Sequence, residues 1–348
     1  MRIRRPKTSI VAAAELPSVV TLESNLFAAS FPLMKLLPAR FIMDRARDDG
    51  TLKPGAVVIE TSSGTFGLGL AMVCNQRGHK CILVSDPAID PPLRRRLEEL
   101  GATVEIVREP AAVGGYQRAR LDRLDALRAA HPGHFWPSQY GNPHNAGAYA
   151  AVVELLLESV GEIHTLVGTV GSGGSVCGMA GFLRDVLGDV EVAGVDTFGS
   201  VLFGHPDAGK RLLRGLGNSL MPPNVEHAAF DHVHWVSAAA GFAGTRALHR
   251  EHALYMGPTS GTAFLVARWY AARHPDRRVV VILPDEGFRY QDTVYDDVWL
   301  KAQGALMTTP PAEPTWVTAP TDAQPEWAAL EWKRRTYEQV MGRVYGEG

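Results

Sequence analysis

A single lysine lies within a run of large apolar side chains near the start of the sequence. Lys35 is the one charged residue of residues 31–38, FPLMKLLP, which carry a proline near each end. Its stem could pack against its neighbours while the ammonium reaches water, as in most lysines of this kind. An apolar setting could instead lower the pKa of the amine and prepare it to form a Schiff base with a carbonyl group. The residue alone leaves both interpretations open.

Three loops rich in glycine, serine and threonine are the second chemical signal. They are ETSSGTFG at 60–67, VGSGGSVCG at 170–178 and GPTSGTAF at 257–264, and each follows a predicted strand or turn and precedes a predicted helix. The unpaired N–H groups at a helix N-terminus bind anions. Three such loops would let one cleft hold two anions, a cofactor phosphate and a substrate carboxylate.

The glycine pattern argues against a nucleotide cofactor. A dinucleotide fingerprint G-x-G-x-x-G that begins at Gly171 needs a third glycine at position 176, where the sequence has Val176. The sequence also contains no G-x-x-x-x-G-K-[ST] motif. Both absences disfavour a nicotinamide or ATP site.

Short β-branched runs alternate with helical patterns along most of the chain. Strands are predicted at 57–62, 81–86, 104–107, 164–170, 190–196 and 279–285, and helices at 65–77, 91–100, 116–130, 146–159, 175–187 and 261–274. This alternation is typical of α/β proteins with doubly wound, mostly parallel sheets. We expect two such domains, an N-terminal one at 38–145 and a C-terminal one at 146–302, with residues 1–37 packed on the second.

The last part of the sequence differs in composition. Residues 310–325 are rich in proline and threonine, which is typical of a linker. An amphipathic helix is predicted at 326–345, with Trp327, Trp332 and Val344 among its apolar residues. Residues 303–348 would then form a linker and a helix that packs on the chain's own core or on a second subunit.

Composition and charge disfavour several functional classes. The 348 residues are 46% hydrophobic with a formal net charge of -2, which gives no electrostatic argument for a nucleic acid or membrane partner. The N-terminal residues fit neither a signal peptide nor a membrane span, so we expect a soluble cytoplasmic protein. The three cysteines are predicted to be buried free thiols. His227, His232 and His234 are predicted to be surface histidines, and no metal site is expected.

Eight segments occur in the order and approximate spacing of one enzyme family. They are Lys35 with its flanks, LKPG at 52–55, SSGTFGLGLA at 62–71, QYGNPHN at 139–145, GSGGS at 171–175, GLGNSLMP at 215–222, GPTSGT at 257–262 and LPDEGFRY at 283–290. Over residues 22–300 the chain resembles the pyridoxal-phosphate enzymes similar to cysteine synthase and cystathionine β-synthase. The resemblance implies fold type II, the tryptophan synthase β-like arrangement of two doubly wound open-sheet domains, here with a C-terminal helical extension.

Three further segments resemble one branch of that family. They are SDPAIDPPL at 85–93, EPAAVGGYQRAR at 109–120 and AGVDTFGSVLFG at 193–204. They are similar to the siderophore-pathway enzymes that join O-phosphoserine to glutamate on the way to 2,3-diaminopropionate.

The resemblance implies a role for each motif. Lys35 would be the catalytic lysine that forms the Schiff base with pyridoxal 5'-phosphate. The phosphate cup, which we define as residues 171–175, would hold the cofactor phosphate through Gly171, Ser172, Gly173, Gly174 and Ser175. The carboxylate loop, which we define as residues 62–65, would bind the substrate α-carboxylate together with Gln139, through Ser62, Ser63, Gly64 and Thr65.

Other positions follow from the same resemblance. Thr259 would place a neutral hydroxyl against the pyridine nitrogen, which favours loss of a β-substituent over transamination. Thr65 stands where the family has an asparagine that contacts the cofactor's phenolic oxygen, and Phe66, in place of a threonine, is expected to reshape the mouth of the site. Arg120 and Arg214 match arginines of phosphoserine-using relatives, and a guanidinium suits a leaving phosphate.

The implied function is pyridoxal-phosphate-dependent β-replacement on an activated L-serine. The donor would be O-phosphoserine or O-acetylserine, and the product cysteine or another β-substituted alanine formed through an aminoacrylate. An enzyme of the same fold could stop after β-elimination, as a cysteine desulfhydrase or serine dehydratase does. A non-catalytic binding protein of this fold is the alternative from another class. The expected partners are small amino-acid substrates and a second copy of the chain in a homodimer, with no nucleic acid and no membrane.

Overall fold

Strands and helices alternate along the chain. The computed structural model describes residues 6–346. Its strands are β1 (Ser18–Glu23), β2 (Leu26–Ser30), β3 (Val58–Thr61), β4 (Cys81–Ser85), β5 (Ala102–Ile106), β6 (Thr165–Thr169), β7 (Glu191–Asp196), β8 (His232–Val236), β9 (Val279–Leu283), β10 (Thr315–Trp316) and β11 (Trp327–Glu331). Its helices are α1 (Ile10–Ala14), α2 (Leu36–Asp48), α3 (Thr65–Arg77), α4 (Pro91–Glu99), α5 (Gly115–Ala130), α6 (Pro143–Gly147), α7 (Ala150–Val160), α8 (Gly174–Leu187), α9 (Ala238–His252), α10 (Pro258–Arg273), α11 (Asp297–Ala302) and α12 (Tyr337–Met341).

The predicted α/β alternation is confirmed. Each of the six predicted strands is present, and the helices predicted at 65–77, 91–100 and 116–130 begin and end within one residue of α3, α4 and α5. The periodicity missed the β1–β2 hairpin. It also did not separate the short helix α6 from α7 in the region predicted as one helix at 146–159.

The strands form two open sheets. Within the described residues, the larger sheet has the order β1-β2-β9-β6-β7-β8-β11-β10 and the smaller one the order β3-β4-β5. The central strands of the larger sheet, β2, β9, β6, β7 and β8, are parallel, and all three strands of the smaller sheet are parallel. The carboxyl ends of the strands within each sheet therefore meet at one edge, where a parallel α/β sheet places its ligand site.

Helices cover both faces of the larger sheet. Val280 and Ile282 of β9 pack in the core that includes α7 and α8, whereas Val279, Val281 and Leu283 pack in the core that includes α10. This alternation along one strand is the period of two of an extended chain, with both faces buried. The N-terminal hairpin belongs to this sheet, since β2 pairs in parallel with β9. The exact limits of the two predicted domains stay a prediction.

The predicted amphipathic helix at 326–345 is wrong. Trp327–Glu331 is a strand that pairs antiparallel with β8, and only Tyr337–Met341 is helical. Trp327, Ala328, Ala329 and Leu330 are buried in succession. Four consecutive buried residues suit a strand covered on both faces, because a helix would turn some of them toward solvent. The segment also covers the edge of β8, which would otherwise expose unpaired backbone groups.

The expectation of surface histidines is wrong for His234, whereas His227 and His232 are partly exposed. His234 lies in β8 and is fully buried, and its Nδ1 accepts a hydrogen bond of 3.2 Å from the indole Nε1 of Trp327. Burial lowers the pKa of His234 to about 3, which keeps the ring neutral. Cys74, Cys81 and Cys177 are buried free thiols, as the sequence predicts.

Among residues 6–346, no helix has the length and apolarity that crossing a membrane requires.

We expect Trp332→Ala to lower the free energy of unfolding by about 3 kcal/mol, because Trp332 is fully buried beside Phe203 and His227. The matched control is Trp316→Ala on the outer strand β10. Trp316 is 44% exposed, so its loss should cost less than about 1 kcal/mol. Urea unfolding followed by circular dichroism measures both. Equal losses for the two variants would contradict the placement of the C-terminal segment.

Candidate active site

Lys35 lies where the two sheets meet, immediately before α2. The chain leaves β2 and runs beside the end of β9, where Phe31 N donates to the Leu283 carbonyl at 2.9 Å and Met34 N donates to the Pro284 carbonyl at 2.8 Å. On the other side, Gly69 of α3 packs against this turn. A Cβ at Gly69 would lie 2.9 Å from the Lys35 carbonyl oxygen, so only glycine allows the approach. Backbone contacts from the end of β9 and from α3 thus fix the position of Lys35.

The surroundings of Lys35 are apolar, as the sequence predicts. Leu33, Met34, Leu36 and Leu37 are all buried. Burial lowers the pKa of the Lys35 amine to about 8. The Nζ atom lies 3.4 Å from the Ser172 hydroxyl oxygen. Lys53, Lys80 and Lys210 are all exposed.

The phosphate cup connects β6 to α8 and is closed by glycine contacts. Gly173 has φ +83°, and a Cβ there would lie 2.2 Å from the Asn224 carbonyl oxygen. A Cβ at Gly174 would lie 2.4 Å from Asn145 Oδ1. The side chains of Ser172 and Ser175 are nearly buried beside them. Backbone N–H groups at the start of this 14-residue helix, with two hydroxyls, make a site for an anion that needs no cation.

The carboxylate loop is organised by its first serine. The Ser62 hydroxyl accepts hydrogen bonds from Gly64 N at 3.2 Å and from Gly67 N at 3.0 Å, which ties the loop to the first turn of α3. Gly64 is the residue before α3 and Thr65 is its first residue. Ser63, Gly64 and Thr65 are partly exposed, so they remain open to a ligand. Phe66 is buried in the core of the small sheet, so the expectation that it reshapes the mouth is wrong.

Gln139 lies beside the carboxylate loop. Its side-chain Nε2 donates to the Thr61 carbonyl at 3.2 Å, and the residue is buried. Asn145 lies between Gln139 and the phosphate cup. Its Nδ2 donates to the Gln139 carbonyl at 2.6 Å and lies 3.5 Å from the Ser172 hydroxyl. The buried Asn145 Oδ1 has no hydrogen-bond partner, so one acceptor remains available beside the cup.

Thr259 lies near the start of α10 and is buried. A Cβ at Gly215, which has φ +91°, would lie 2.8 Å from Thr259 Cγ2, and a Cβ at Gly171 would lie 3.3 Å from the Gly215 carbonyl oxygen. The turn at Gly215 thus approaches both the phosphate cup and Thr259. Thr259 and the phosphate cup are therefore neighbours of one turn, as expected if both contact one ligand.

The two arginines differ in their settings. Arg120 is buried, forms an ion pair of 3.1 Å with Asp86, and donates to the Ser63 hydroxyl at 2.9 Å. Its guanidinium is therefore held against the carboxylate loop. Arg214 is exposed and donates to the Ala88 carbonyl, on a segment that follows β4 of the small sheet. The structure brings Arg120 to the carboxylate loop, whereas Arg214 contacts the segment after β4.

Three contributors to this site escaped the sequence analysis. Asn145 ends the motif QYGNPHN, whose first residue Gln139 was identified, so the motif itself was the available signal. Glu60 is a buried carboxylate one residue before Thr61, and it looked like an ordinary strand residue. The third is an ion pair of 2.5 Å between Asp90 and Arg289, which connects the segment after β4 to the segment after β9. No local pattern predicts a pair of residues so distant in sequence.

These residues fit a pyridoxal phosphate. They offer an amine of lowered pKa, an anion cup beside it, a second helix N-terminus for a carboxylate, and a hydroxyl at the start of a third helix. The backbone N–H groups at the start of α8 and the hydroxyls of Ser172 and Ser175 are the donors that a phosphate requires.

Solved structures share this fold. The chain matches O-acetylserine sulfhydrylase isoform 3 from Entamoeba histolytica with a TM-score of 0.76 at 22% identity, over 88% of this chain and 98% of that chain. It matches the O-acetylserine-dependent cystathionine β-synthase from Helicobacter pylori with a TM-score of 0.75 at 24% identity, over 83% of this chain and 99% of that chain. These likenesses confirm the predicted fold.

Relatives in sequence identify the family as well as the fold. The chain is 35% identical to the N-(2-amino-2-carboxyethyl)-L-glutamate synthase of Ralstonia nicotianae over 286 residues, which is 79% of this chain and 84% of that one. It is 33% identical to the enzyme of the same name from Cupriavidus metallidurans over 279 residues, 78% of this chain and 82% of that one. The family model described as pyridoxal-phosphate dependent enzyme matches residues 22–285. The cofactor and the resemblance expected from the sequence are thereby confirmed, and the chain belongs to the family of pyridoxal-phosphate-dependent enzymes.

Proposed function

We propose that this enzyme catalyses β-replacement on an O-activated L-serine, with O-phosphoserine favoured over O-acetylserine. The observation that carries the proposal is the Lys35 amine, whose pKa is lowered to about 8 and which lies 3.4 Å from Ser172 Oγ in the phosphate cup. An amine with this pKa is partly unprotonated near neutral pH, so it can act both as nucleophile and as base.

Each part of the site has one task in this proposal. When bound, pyridoxal phosphate supplies an aldehyde that amines attack and a conjugated ring that takes up electrons from the substrate Cα. The phosphate cup, Thr259 and Thr65 would hold the cofactor. The carboxylate loop and Gln139 hold the substrate carboxylate. Lys35 removes the α-proton and later returns it to Cα.

The reaction exchanges one bond at the substrate Cβ for another. The Cβ–O bond breaks, and the leaving phosphate or acetate departs with the electron pair. The lone pair of a nucleophile then forms the new bond to Cβ, and the nucleophile loses its proton. Arg120 supports phosphate as the leaving group, because it is a cation held beside the carboxylate loop at the Ser63 hydroxyl.

The relatives suggest the nucleophile. The name N-(2-amino-2-carboxyethyl)-L-glutamate describes an alanine whose β-carbon is bonded to the nitrogen of glutamate. By similarity we propose that the amino group of L-glutamate is the second substrate here. Thiols and sulfide, which would give cysteine-type products, are the next candidates.

β-Elimination is the second function to be tested, because the same residues serve both reactions until the nucleophile adds. The difference lies in whether a nucleophile or water reaches the site. A non-catalytic binding role is not supported, since the family match and the enclosed Lys35 occur together.

Cytoplasmic location and a homodimer stay proposals. The apolar residues that suggested a C-terminal helix for a partner subunit are used within the chain, because Trp327 and Trp332 are buried in it. Similarity to the family remains the support for the dimer.

Product analysis tests the proposed function directly. With O-phosphoserine and L-glutamate we expect mass spectrometry to find N-(2-amino-2-carboxyethyl)-L-glutamate and free phosphate in equal amounts. Without a nucleophile, pyruvate should form slowly or not at all. Pyruvate formed at the same rate with and without glutamate or a thiol would instead establish an eliminating enzyme.

Lys35→Ala should lower kcat by about 1,000-fold, because the base that moves the α-proton is lost. Pyridoxal phosphate should still bind at the phosphate cup, as equilibrium dialysis can measure. Borohydride reduction of the wild-type enzyme followed by peptide mapping should find the pyridoxyl group on Lys35. Lys53→Ala is the control, because Lys53 is exposed. A pyridoxyl group on another lysine would overturn this active site.

Arg214→Ala and Arg120→Ala should lower kcat/KM for O-phosphoserine at least about tenfold more than for O-acetylserine, because a charge-assisted bond to phosphate is lost. Arg118→Ala is the matched control, since Arg118 lies on the same helix as Arg120 and is exposed. Steady-state kinetics with both donors measures the preference. An unchanged ratio in both variants would show that neither arginine selects phosphate.

A further inference from the structure

A buried carboxylate without a cationic hydrogen-bond partner lies directly beneath the carboxylate loop. Glu60 is the third residue of β3 and is 1% exposed. It accepts hydrogen bonds from the N–H groups of Thr61, Trp136 and Gln139, and the backbone N–H of Ser138 also stabilises its charge. A buried charge held by neutral donors costs more than an apolar residue at the same place, which suggests that the charge serves the function.

The Glu60 carboxylate accepts from Thr61 on one side and from Trp136 and Gln139 on the other. Oε1 accepts from Thr61 N at 2.7 Å and from Trp136 Nε1 at 3.2 Å. Oε2 accepts from Gln139 N at 3.1 Å. Thr61 immediately precedes the carboxylate loop, and the side-chain amide of Gln139 lies beside that loop. One carboxylate therefore connects the two parts of the proposed carboxylate site, and Gln139 Nε2 strengthens the connection by donating to the Thr61 carbonyl at 3.2 Å.

We propose that Glu60 is a positioning residue, whose carboxylate sets the spacing between Gln139 and the carboxylate loop and thereby the affinity for the amino-acid substrate. The inference rests on the proposed function, because it assumes that this pair of segments binds a substrate carboxylate. Glu60 itself does not touch the substrate.

Protonation should weaken this connection. Burial raises the pKa of Glu60 to about 7, and the N–H donors oppose that rise only in part. Above pH 7 the carboxylate is charged and both oxygens accept, whereas below pH 7 one oxygen carries a proton and accepts poorly from an N–H group. Substrate affinity should therefore fall as the pH falls through 7.

The neighbouring ionisable groups do not account for such a change. Cys81 and Tyr140 lie near Glu60. The hydrogen bond with Cys74 and burial raise the pKa of Cys81, and burial raises the pKa of Tyr140, so both stay neutral near pH 7. Arg120 and Asp86, which lie near Tyr140, form an ion pair with each other. Lys35 has a pKa of about 8 when free, and it carries the cofactor in the holoenzyme used for the test.

Glu60→Gln is the decisive substitution. The glutamine can keep one oxygen at Thr61 and Trp136, but its NH₂ group then faces the Gln139 N–H, so the backbone N–H of Gln139 loses its acceptor. In the holoenzyme we expect KM for O-phosphoserine to rise about tenfold, the effect of one lost hydrogen bond to a charged group, while kcat stays within about threefold. Spectral titration with L-serine should show the same loss of affinity, and cofactor content should be unchanged.

Two readouts separate positioning from a general structural role. In the wild type, KM should rise as the pH falls from 8 to 6, and in Glu60→Gln this dependence should vanish. Gln139→Ala should raise KM less in the Glu60→Gln background than in the wild type, because both substitutions disturb the same contact. Glu105→Gln, on β5 of the same sheet, is the control and should change neither quantity.

Trp136→Phe provides a test if Glu60→Gln does not fold. It removes one donor to the charged carboxylate, so the pH at which KM rises should move upward. The proposal is overturned if KM and its pH dependence are unchanged, if kcat and cofactor content fall together with KM intact, or if the Gln139 and Glu60 effects simply add. These outcomes differ from failure of the proposed function, in which no β-replacement product forms although L-serine binding still responds to Glu60.

Discussion

The position of the partly buried Lys35 amine beside an anion cup is the constraint on which the rest of the site depends. Burial favours the neutral amine and lowers its pKa to about 8. A lysine used to neutralise the cofactor phosphate would stay protonated and could not act as a base. The phosphate cup removes this conflict, because helix N–H groups and the hydroxyls of Ser172 and Ser175 can hold the phosphate without a cation.

The position of Lys35 depends on backbone contacts rather than on its own side chain. The end of β9 binds the turn through Met34 N, and Gly69 of α3 packs against the Lys35 carbonyl from the small sheet. Gly173 and Gly174 likewise allow close packing at the phosphate cup, because a Cβ at these positions would overlap with Asn224 or Asn145. Residues far apart in sequence thus meet because glycines let backbone segments approach to distances that a side chain forbids.

The sequence pattern predicted those strands and helices that depend mainly on neighbouring residues. The strands around β3, β4 and β9 are apolar runs of the right length, and helix α3 begins and ends where the pattern predicts. The C-terminal segment failed, because four consecutive apolar residues fit a helix or a strand, and the choice depended on the open edge of β8, about ninety residues away in sequence. Glu60 and Asn145 were missed for a related reason. Their residue types are ordinary, and their partners Gln139 and Ser172 come near them only in the folded chain.

The buried Glu60 and the partly buried Lys35 have opposite effects on stability as the pH changes. The pKa of Glu60 is raised, so its contribution to stability is complete below its unfolded pKa of 4.5 and is lost as the pH rises through about 7, a cost on the order of 3 kcal/mol. The pKa of Lys35 is lowered, so its contribution is complete above its unfolded pKa of 10.5 and is lost as the pH falls through about 8. Near pH 7.5 Glu60 is mostly charged and Lys35 is mostly protonated, so the apoprotein bears most of the free-energy cost of both buried charges. Under the proposed function Lys35 is no longer a free ammonium in the holoenzyme, so cofactor binding should stabilise the fold beyond the contacts that the cofactor makes.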